Sequence, residues 1–206
     1  MERNDMKNKW MILLSFVAGI LVTLLVPVLL LTMGAINMGA DVKPGLIERT
    51  LAPWVRDRSV AKRAPKEKNP YAGDLAAIAT GLDHYRENCL MCHGARDVAG
   101  AELSKGLNPP APSLDKEVND TPDGELFWVI KHGIRMTPMP AFGPTHTDEE
   151  IWHTVAFIRH LPDLTAQERD SLRAVTGEEA HHHGGETNAV PDKAVQPVQP
   201  DHHGKP

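Results

Sequence analysis

The longest apolar run in the sequence lies close to the N-terminus. From Trp10 to Met33 there are 24 residues without a charged side chain. A helix of this length, rising about 1.5 Å per residue, spans the roughly 30 Å hydrocarbon core of a bilayer. A cleaved signal peptide has an apolar stretch of about 7–15 residues followed by small residues at fixed places, but Met33 and Met38 stand at such places here. We therefore expect an uncleaved transmembrane anchor over residues 10–33.

Basic residues flank the anchor unequally. Three stand within residues 1–9, whereas only Lys43 and Arg49 lie among the 20 residues after Met33. Basic residues close to a span favour the cytoplasmic side, so residues 1–9 are expected in the cytoplasm and the rest of the chain across the membrane. The basic segment at 56–68 would indicate the reverse, but it lies beyond the 15–20 residues that weigh most in this rule.

Beyond residue 70, apolar positions recur three and four residues apart, which predicts amphipathic helices. The first helix is expected to begin after Asp74, a suitable N-cap. Its apolar face should consist of Leu75, Ile78, Leu82, Tyr85 and Cys89.

Three further helices carry start and stop signals. No convincing alternating strand pattern is present, and loops rich in Pro and Gly separate the helices, so an all-α fold is predicted. The signals are Thr121-Pro122-Asp123 with a stop at Gly133, the capping box Thr147-x-x-Glu150 with a stop at Leu161-Pro162, and Thr165-x-x-Glu168.

Residues 34–70 are predicted to be a linker. They are rich in Lys, Arg and Pro, with a short amphipathic helix indicated near Leu46, Leu51 and Trp54. Two interpretations stay open: a solvated tether, or a segment whose Trp54 lies at the lipid interface while its basic residues meet anionic headgroups.

Residues 177–206 consist largely of His, Gly, Pro and Gln. Such a composition cannot bury enough apolar surface to offset its ordering entropy, so a disordered tail is predicted. Its five histidines favour a polar spacer over a metal site, although His-rich tracts do bind copper, nickel or zinc. The tail histidines are His181, His182, His183, His202 and His203.

Charge is segregated along the chain. Residues 1–70 carry 11 Lys and Arg against 6 Asp and Glu, whereas residues 71–206 carry 11 against 21. An acidic compact part without a basic stripe disfavours nucleic-acid binding. Redox protein partners with basic docking surfaces fit this charge better.

The two cysteines of the chain lie in Cys89-Leu90-Met91-Cys92-His93, the pattern that attaches a c-type haem. Each thiol can form a thioether to a porphyrin vinyl group, and the next residue then offers an imidazole to the iron. The alternative is a thioredoxin-like redox pair, which would begin a helix in a βαβ pattern. Here the cysteines end an amphipathic helix instead, so the sequence favours haem c, with His93 as an iron ligand.

A second axial ligand is expected from the segment 132–143, which offers His132, Met136 and Met139. Met139 is preferred, because Pro138 and Pro140 stiffen the loop around it and can hold a thioether in one place. The usual fate of methionine is packing, which is the interpretation favoured for Met136. His93 and Met139 are thus the predicted iron ligands.

The string Gly81-x-x-x-Tyr85-x-x-x-Cys-x-x-Cys-His resembles the first helix of the cytochrome c family, and the resemblance covers about residues 74–162. In that family a glycine and an aromatic residue let the first and last helices cross closely. Phe157 is similar to the last-helix aromatic residue that meets the glycine. The anchor, the linker and the tail lie outside the resemblance.

The same resemblance implies further site residues. Pro112 matches the proline whose carbonyl accepts a hydrogen bond from the ligand imidazole. The segment ending Met-Pro-Ala-Phe-Gly143 is similar to that of bacterial monohaem cytochromes in which this methionine, here Met139, ligates. Arg135 is implied as a partner of a haem propionate.

The sequence therefore predicts a single cytochrome c-like haem domain over residues 71–176, held by an N-terminal anchor and followed by a disordered tail. The expected function is electron transfer, not catalysis, by one covalent haem c on the periplasmic side of a bacterial inner membrane. Two alternatives stay open: a relay subunit of a larger membrane oxidoreductase, with metal handling by the tail, and a haem enzyme or gas sensor in which Met139 does not hold the iron.

Overall fold

Helices make up most of the chain in the computed structural model, which describes residues 2–117 and 119–182. No β-strand occurs in these ranges, only an isolated bridge between Ala95 and Val98, which confirms the predicted all-α class. The described helices are α1 (Glu2–Thr32), α2 (Leu46–Arg63), α3 (Leu75–Asn88), α4 (Leu90–His93), α5 (Leu114–Glu117), α6 (Asp123–His132), α7 (Asp148–His160) and α8 (Ala166–His182), with short 3-10 turns at Glu102–Gly106 and Leu161–Asp163.

Helix α1 contains the apolar run. Its stretch Lys7–Thr32 has 26 residues with a mean hydropathy of 2.8, so by length and composition it can cross a membrane. None of this stretch is buried against the rest of the described chain.

Helices α3 and α7 form the centre of the haem-domain fold. They cross so closely that a Cβ on Gly81 would collide with the carbonyl oxygen of His153 and lie 2.8 Å from Cβ of Phe157. Tyr85 and Phe157 are fully buried at this crossing, with ring centroids 5.2 Å apart. The crossing that the sequence predicted for Gly81 and Phe157 is thus confirmed.

The helix boundaries follow the predicted signals closely. Asp74 caps α3 through hydrogen bonds from the backbone N–H groups of Ala76 and Ala77. Thr147 and Glu150 form the predicted capping box of α7. Helix α6 is capped by Pro122 and not by Thr121, a shift of one residue.

The predicted apolar face of α3 is wrong at its first position. Leu75 is 79 % exposed, whereas Ala77, Gly81 and Tyr85 are buried. The buried residues of α3 are centred on Gly81 and Tyr85, and at 100° per residue Leu75 lies at the edge of this face, where it stays uncovered.

The predicted linker is more ordered than a solvated tether. Its helix α2 has 18 residues, and the end of α2 packs on the domain, where Val60 and Ala64 are only 5 % and 6 % exposed. The backbone of Pro65 contacts Gly124 so closely that a Cβ there would lie 2.9 Å from the carbonyl carbon. The boundary predicted at residue 71 therefore cuts through a packed region.

Asn69 completes this packing and was not singled out by the sequence. It is 5 % exposed. Its backbone N–H donates to Asp123 at 3.1 Å, its side-chain amide donates to the Trp152 carbonyl at 2.9 Å, and its side-chain oxygen accepts from Tyr71 N–H at 2.9 Å. The first two bonds reach Asp123 in α6 and Trp152 in α7, so Asn69 ties the arm formed by residues 64–71 to both helices, and the third bond fixes the arm's own backbone.

At the other end of the domain, α8 begins as predicted after Thr165, which exchanges hydrogen bonds with Glu168. Leu172 is fully buried. The helix runs to His182, so the tail boundary predicted at Gly177 falls inside α8. The sequence contains good helix formers after Gly177, in Glu-Glu-Ala. Residues 183–206, with three of the five tail histidines, lie outside the described residues.

We expect Gly81→Ala to lower the free energy of unfolding by about 3 kcal/mol, at the upper end of overpacking costs, because the added methyl meets a backbone carbonyl that cannot move aside. The matched control is Gly106→Ala, since a Cβ at Gly106 meets no atom within 4 Å. Urea unfolding of the full chain in mild detergent measures both. Equal effects of the two substitutions would contradict the close crossing.

Candidate functional site

The two cysteines and His93 lie on one tight turn. Helix α3 ends at Asn88, and Cys89 then joins it to the short helix α4. The backbone N–H groups of Cys92 and His93 both donate to the Cys89 carbonyl, at 3.1 and 3.0 Å. Both thiols are free and half-buried. The turn therefore presents two thiols and one imidazole from five consecutive residues.

A hydrogen bond from Tyr85 fixes this turn to the core. The Tyr85 hydroxyl, fully buried, donates to the Gly94 carbonyl at 2.5 Å. Gly94 has φ of 60°, a conformation that favours glycine, and Leu90 beside it is 1 % exposed. The sequence marked Tyr85 only as a helix-crossing residue. Its second role, holding the cysteine turn through Gly94, follows from the four-residue spacing between Tyr85 and Cys89, which puts Tyr85 one helical turn before the cysteines.

His93 is held in one tautomer. Its Nδ1 lies 3.0 Å from the Pro112 carbonyl oxygen, and because a carbonyl only accepts, Nδ1 must carry the proton. Burial lowers the pKa of His93, and the hydrogen bond to Pro112 opposes this in part. The favoured form is thus a neutral imidazole whose Nε2 lone pair is available to a metal.

Cys89 does not have the electrostatics of a nucleophilic redox cysteine. Burial, helped by the neighbouring Cys92, raises the pKa of the Cys89 thiol to about 12. Catalytic Cys-x-x-Cys pairs need a depressed pKa, since the thiolate is the nucleophile. The thioredoxin-like alternative is therefore disfavoured by the local environment as well as by the all-α fold.

Three candidates for the second axial ligand differ in their burial. Met139 is partly buried and packs against the hydrophobic core. Met136 is 84 % exposed and has φ of 61°. His132 is exposed, with its ring 4.9 Å from that of Trp128. Of these, only Met139 is directed into the packed part of the domain.

The loop that carries Met139 is pinned to the end of α6. The Met139 carbonyl accepts from Ile134 N–H at 3.2 Å, and Met139 N–H donates to Thr137 Oγ1 at 3.2 Å. Gly133, with φ of 64°, approaches Pro140 so closely that a Cβ would lie 2.7 Å from its carbonyl carbon. The prolines on either side of Met139 are thus part of a loop closed by hydrogen bonds.

Arg135 lies on this loop and is exposed. Within residues 2–117 and 119–182, its guanidinium makes no hydrogen bond or ion pair with another predicted site residue. Two apolar side chains close to the cysteine turn are exposed: Met91, in α4, at 40 % and Leu103, in the 3-10 turn Glu102–Gly106, at 65 %.

These residues fit a c-type haem. Two thiols and a neutral imidazole on one turn are the attachment chemistry, a core-facing thioether is a suitable second donor, and exposed apolar side chains suit a hydrophobic macrocycle. Cys89, Cys92 and His93 would hold the group, with Met139 as the further donor and Pro112 orienting His93. Among the described residues, no cluster of three or more His, Cys, Asp or Glu side chains competes as a metal site.

Comparison with known proteins points in the same direction. A family model described as cytochrome c oxidase, cbb3-type, subunit III matches residues 76–158, from α3 to α7. The cbb3-type cytochrome c oxidase subunit FixP of Sinorhizobium medicae (strain WSM419) is 27 % identical over 99 residues, covering 44 % of this chain. The match spans about a third of that relative's length, 32 %.

Two solved structures show distant similarity. Cytochrome cL of Methylophaga aminisulfidivorans MPT is 22 % identical, with 76 % of this chain and 89 % of that chain covered and a TM-score of 0.37. Cytochrome cL of Hyphomicrobium denitrificans is 21 % identical, with 61 % and 89 % covered and a TM-score of 0.34. At these scores neither structure adds to the assignment.

The match over α3–α7 coincides with the part of the chain that carries the Cys-x-x-Cys-His turn, the Pro112 carbonyl and the Met139 loop. These comparisons support the interpretation of residues 76–158 as a c-type cytochrome segment, in agreement with the resemblance seen in the sequence.

Proposed function

We propose that this chain is a membrane-anchored electron-transfer protein with one covalently bound haem c, whose iron is held by His93 and Met139. The observation that carries the proposal is the single turn of Cys89, Cys92 and His93, with the imidazole locked to the Pro112 carbonyl at 3.0 Å. When bound, the haem supplies one-electron chemistry. The chain's own residues supply attachment, orientation and exclusion of water.

Ligation from both sides would decide the type of chemistry. If His93 and Met139 both held the iron, the haem would have no open position for oxygen, peroxide or substrate and would supply electron transfer. A thioether ligand also favours the reduced state and raises the reduction potential. The rigid loop around Met139, closed onto the end of α6, supports a ligand that stays in place through the redox cycle.

Charge supports docking on a basic partner. Residues 71–176 contain 9 Lys and Arg against 16 Asp and Glu. Electrostatic complementarity speeds encounter and weakens with added salt. Arg135, exposed on the ligand loop, is proposed to pair with a haem propionate, which would reduce the negative charge close to the exposed edge.

The membrane arrangement is part of the same proposal. Residues 10–33 would cross a bacterial inner membrane once, residues 1–9 would stay in the cytoplasm, and the haem domain would face the periplasm. The supporting observations are the apolar length of α1 and the excess of basic residues before it. An anchor raises the effective concentration of the carrier near membrane-bound partners.

A second candidate is a relay subunit of a membrane oxidase. It is favoured by the family model and the relative, both described as subunits of cbb3-type cytochrome c oxidase. The haem site would be identical in both roles, and only the permanence of the partner would differ.

We expect Met139→Ala to abolish the weak near-red sulfur-to-iron band of the ferric protein and to lower the reduction potential by on the order of 0.1 V, within the roughly 0.8 V that axial ligands span. The matched control is Met136→Ala on the same loop, which should leave both unchanged because that side chain is exposed. If Met136→Ala alone lost the band, Met136 would be the ligand. A high-spin ferric spectrum in the unsubstituted protein would indicate an enzyme or sensor instead.

Replacing both Cys89 and Cys92 by Ala should remove covalent haem, measured as loss of haem stain on a denaturing gel. Each single variant should keep one thioether, with a red-shifted α-band in the pyridine haemochrome because one vinyl group remains. The unsubstituted chain should give one haem per polypeptide. Absence of haem from that chain would overturn the proposal.

Purification from the native membrane in mild detergent should separate the two candidates. A free carrier is expected to run at the mass of the single chain plus its detergent. Stoichiometric co-purification of larger membrane subunits, resistant to high salt, would assign the relay role instead.

A further inference from the structure

Helix α2 exposes an apolar stripe that the domain does not cover. The stripe, defined here by Ile47, Leu51 and Trp54, runs along one side at the four- and three-residue spacing of a helix face. These side chains are 77 %, 52 % and 56 % exposed. Exposed apolar residues aligned in this way mark an interaction surface more often than scattered ones do.

The domain itself is attached to a different side of α2. Val60, at 5 % exposed, and Ala64, which follows the helix, contact the domain, and 100° per residue places Val60 roughly opposite the stripe. Pro65 against Gly124 and the bonds of Asn69 hold this attachment. The stripe therefore faces away from the haem domain.

Charge on α2 is opposite to that of the domain. Residues 46–68 carry seven Lys and Arg against three Asp and Glu. Two of the basic residues, Arg58 and Lys62, continue the stripe over the next two turns. The Arg58 guanidinium lies 5.3 Å from the centroid of the Trp54 ring. The long side chains of Arg58 and Lys62 can reach the headgroups while the apolar side chains on the same side of α2 lie deeper, an arrangement that suits a helix in a membrane interface.

The chain also keeps α2 near the bilayer. Only 13 residues separate the end of α1 from the start of α2, which reach at most about 45 Å when fully extended. Part of this connection is bound to the domain as well, since the Asn108 side-chain amide donates to the carbonyls of Ala40 and Val42 at 2.9 and 3.2 Å. A surface with this composition thus stays close to lipid headgroups whenever α1 is in the membrane.

We propose that α2 lies in the headgroup region of a bilayer that contains anionic lipid. The stripe of Ile47, Leu51 and Trp54 is buried toward the acyl chains, and Arg58 and Lys62 bind the phosphates. Since the other side of α2 is packed on the domain, this contact sets the orientation of the haem domain on the membrane. The inference rests on the membrane anchoring in the proposed function, but not on the identity of the iron ligands.

The test uses the full chain in nanodiscs that hold one copy each. Leu51→Cys and Ala52→Cys provide a matched pair, because both positions are exposed and adjacent in α2 but point about 100° apart. The rate of labelling by a charged, water-soluble maleimide is measured at each. The unsubstituted chain gives the background from Cys89 and Cys92, so failed haem attachment would appear there and not in the comparison.

In nanodiscs with phosphatidylglycerol, Leu51→Cys should react about tenfold more slowly than Ala52→Cys. Adding Arg58→Gln and Lys62→Gln should reduce this ratio severalfold, as should phosphatidylcholine alone. Equal rates at the two positions in anionic nanodiscs would overturn the proposal. Equal rates there, with protection of Leu51→Cys only in native membranes, would assign the stripe to a partner protein. A ratio independent of both lipid charge and the Gln substitutions would overturn the role given to Arg58 and Lys62.

Discussion

The contact on which the rest of the haem domain depends is the close crossing of α3 and α7. It requires a residue without a side chain at Gly81, because the backbone of His153 and the Cβ of Phe157 occupy the space. Tyr85, one turn further along α3, is then buried against Phe157 and reaches the Gly94 carbonyl with its hydroxyl. The helix crossing thus fixes the position of the cysteine turn at the end of α3. Tyr85 takes part in both, because it packs at the crossing and is hydrogen-bonded to the turn.

Two irregular segments carry further residues of the predicted haem site. The segment before α5 contributes the Pro112 carbonyl, which sets the His93 tautomer. The loop after α6 contributes Met139 and is closed by Gly133 against Pro140. Both segments are rich in proline, and neither is a helix. Proline limits the conformations available to such segments before folding, which lowers the entropy lost when their donors are fixed.

Sequence reasoning was most accurate where a short local pattern determines the structure. The caps at Asp74 and Thr147 and the all-α class follow from residue type and spacing, and the Gly81 crossing follows from the resemblance to the cytochrome c family. It was least accurate where contacts join residues far apart in the chain. Asn69 is hydrogen-bonded to Trp152, 83 positions away in the sequence, and no sequence pattern around Asn69 indicates that partner. The exposure of Leu75 has a related origin, since periodicity gives a face but not how far toward its edges the neighbouring helix covers it.

The contrast between Met136 and Met139 shows a further limit. Both have prolines or glycines nearby, and the sequence could rank them only by loop stiffness and family likeness. Their exposure separates them clearly, 84 % for Met136 against a partly buried Met139, because exposure depends on how the loop folds back on α6.

The contacts of the Asp123 carboxylate determine where a fragment of this protein can begin. One oxygen accepts from Asn69 N–H at 3.1 Å and the other from Arg159 Nε at 2.8 Å. The same carboxylate therefore binds both the arm of residues 64–71 and helix α7. A soluble fragment that starts at residue 71 lacks Asn69 and leaves Gly124 exposed. A fragment that starts before Val60 keeps all the contacts between the arm and the domain. For crystallisation or electrochemistry without the anchor, the natural N-terminal end of the haem domain is therefore inside α2.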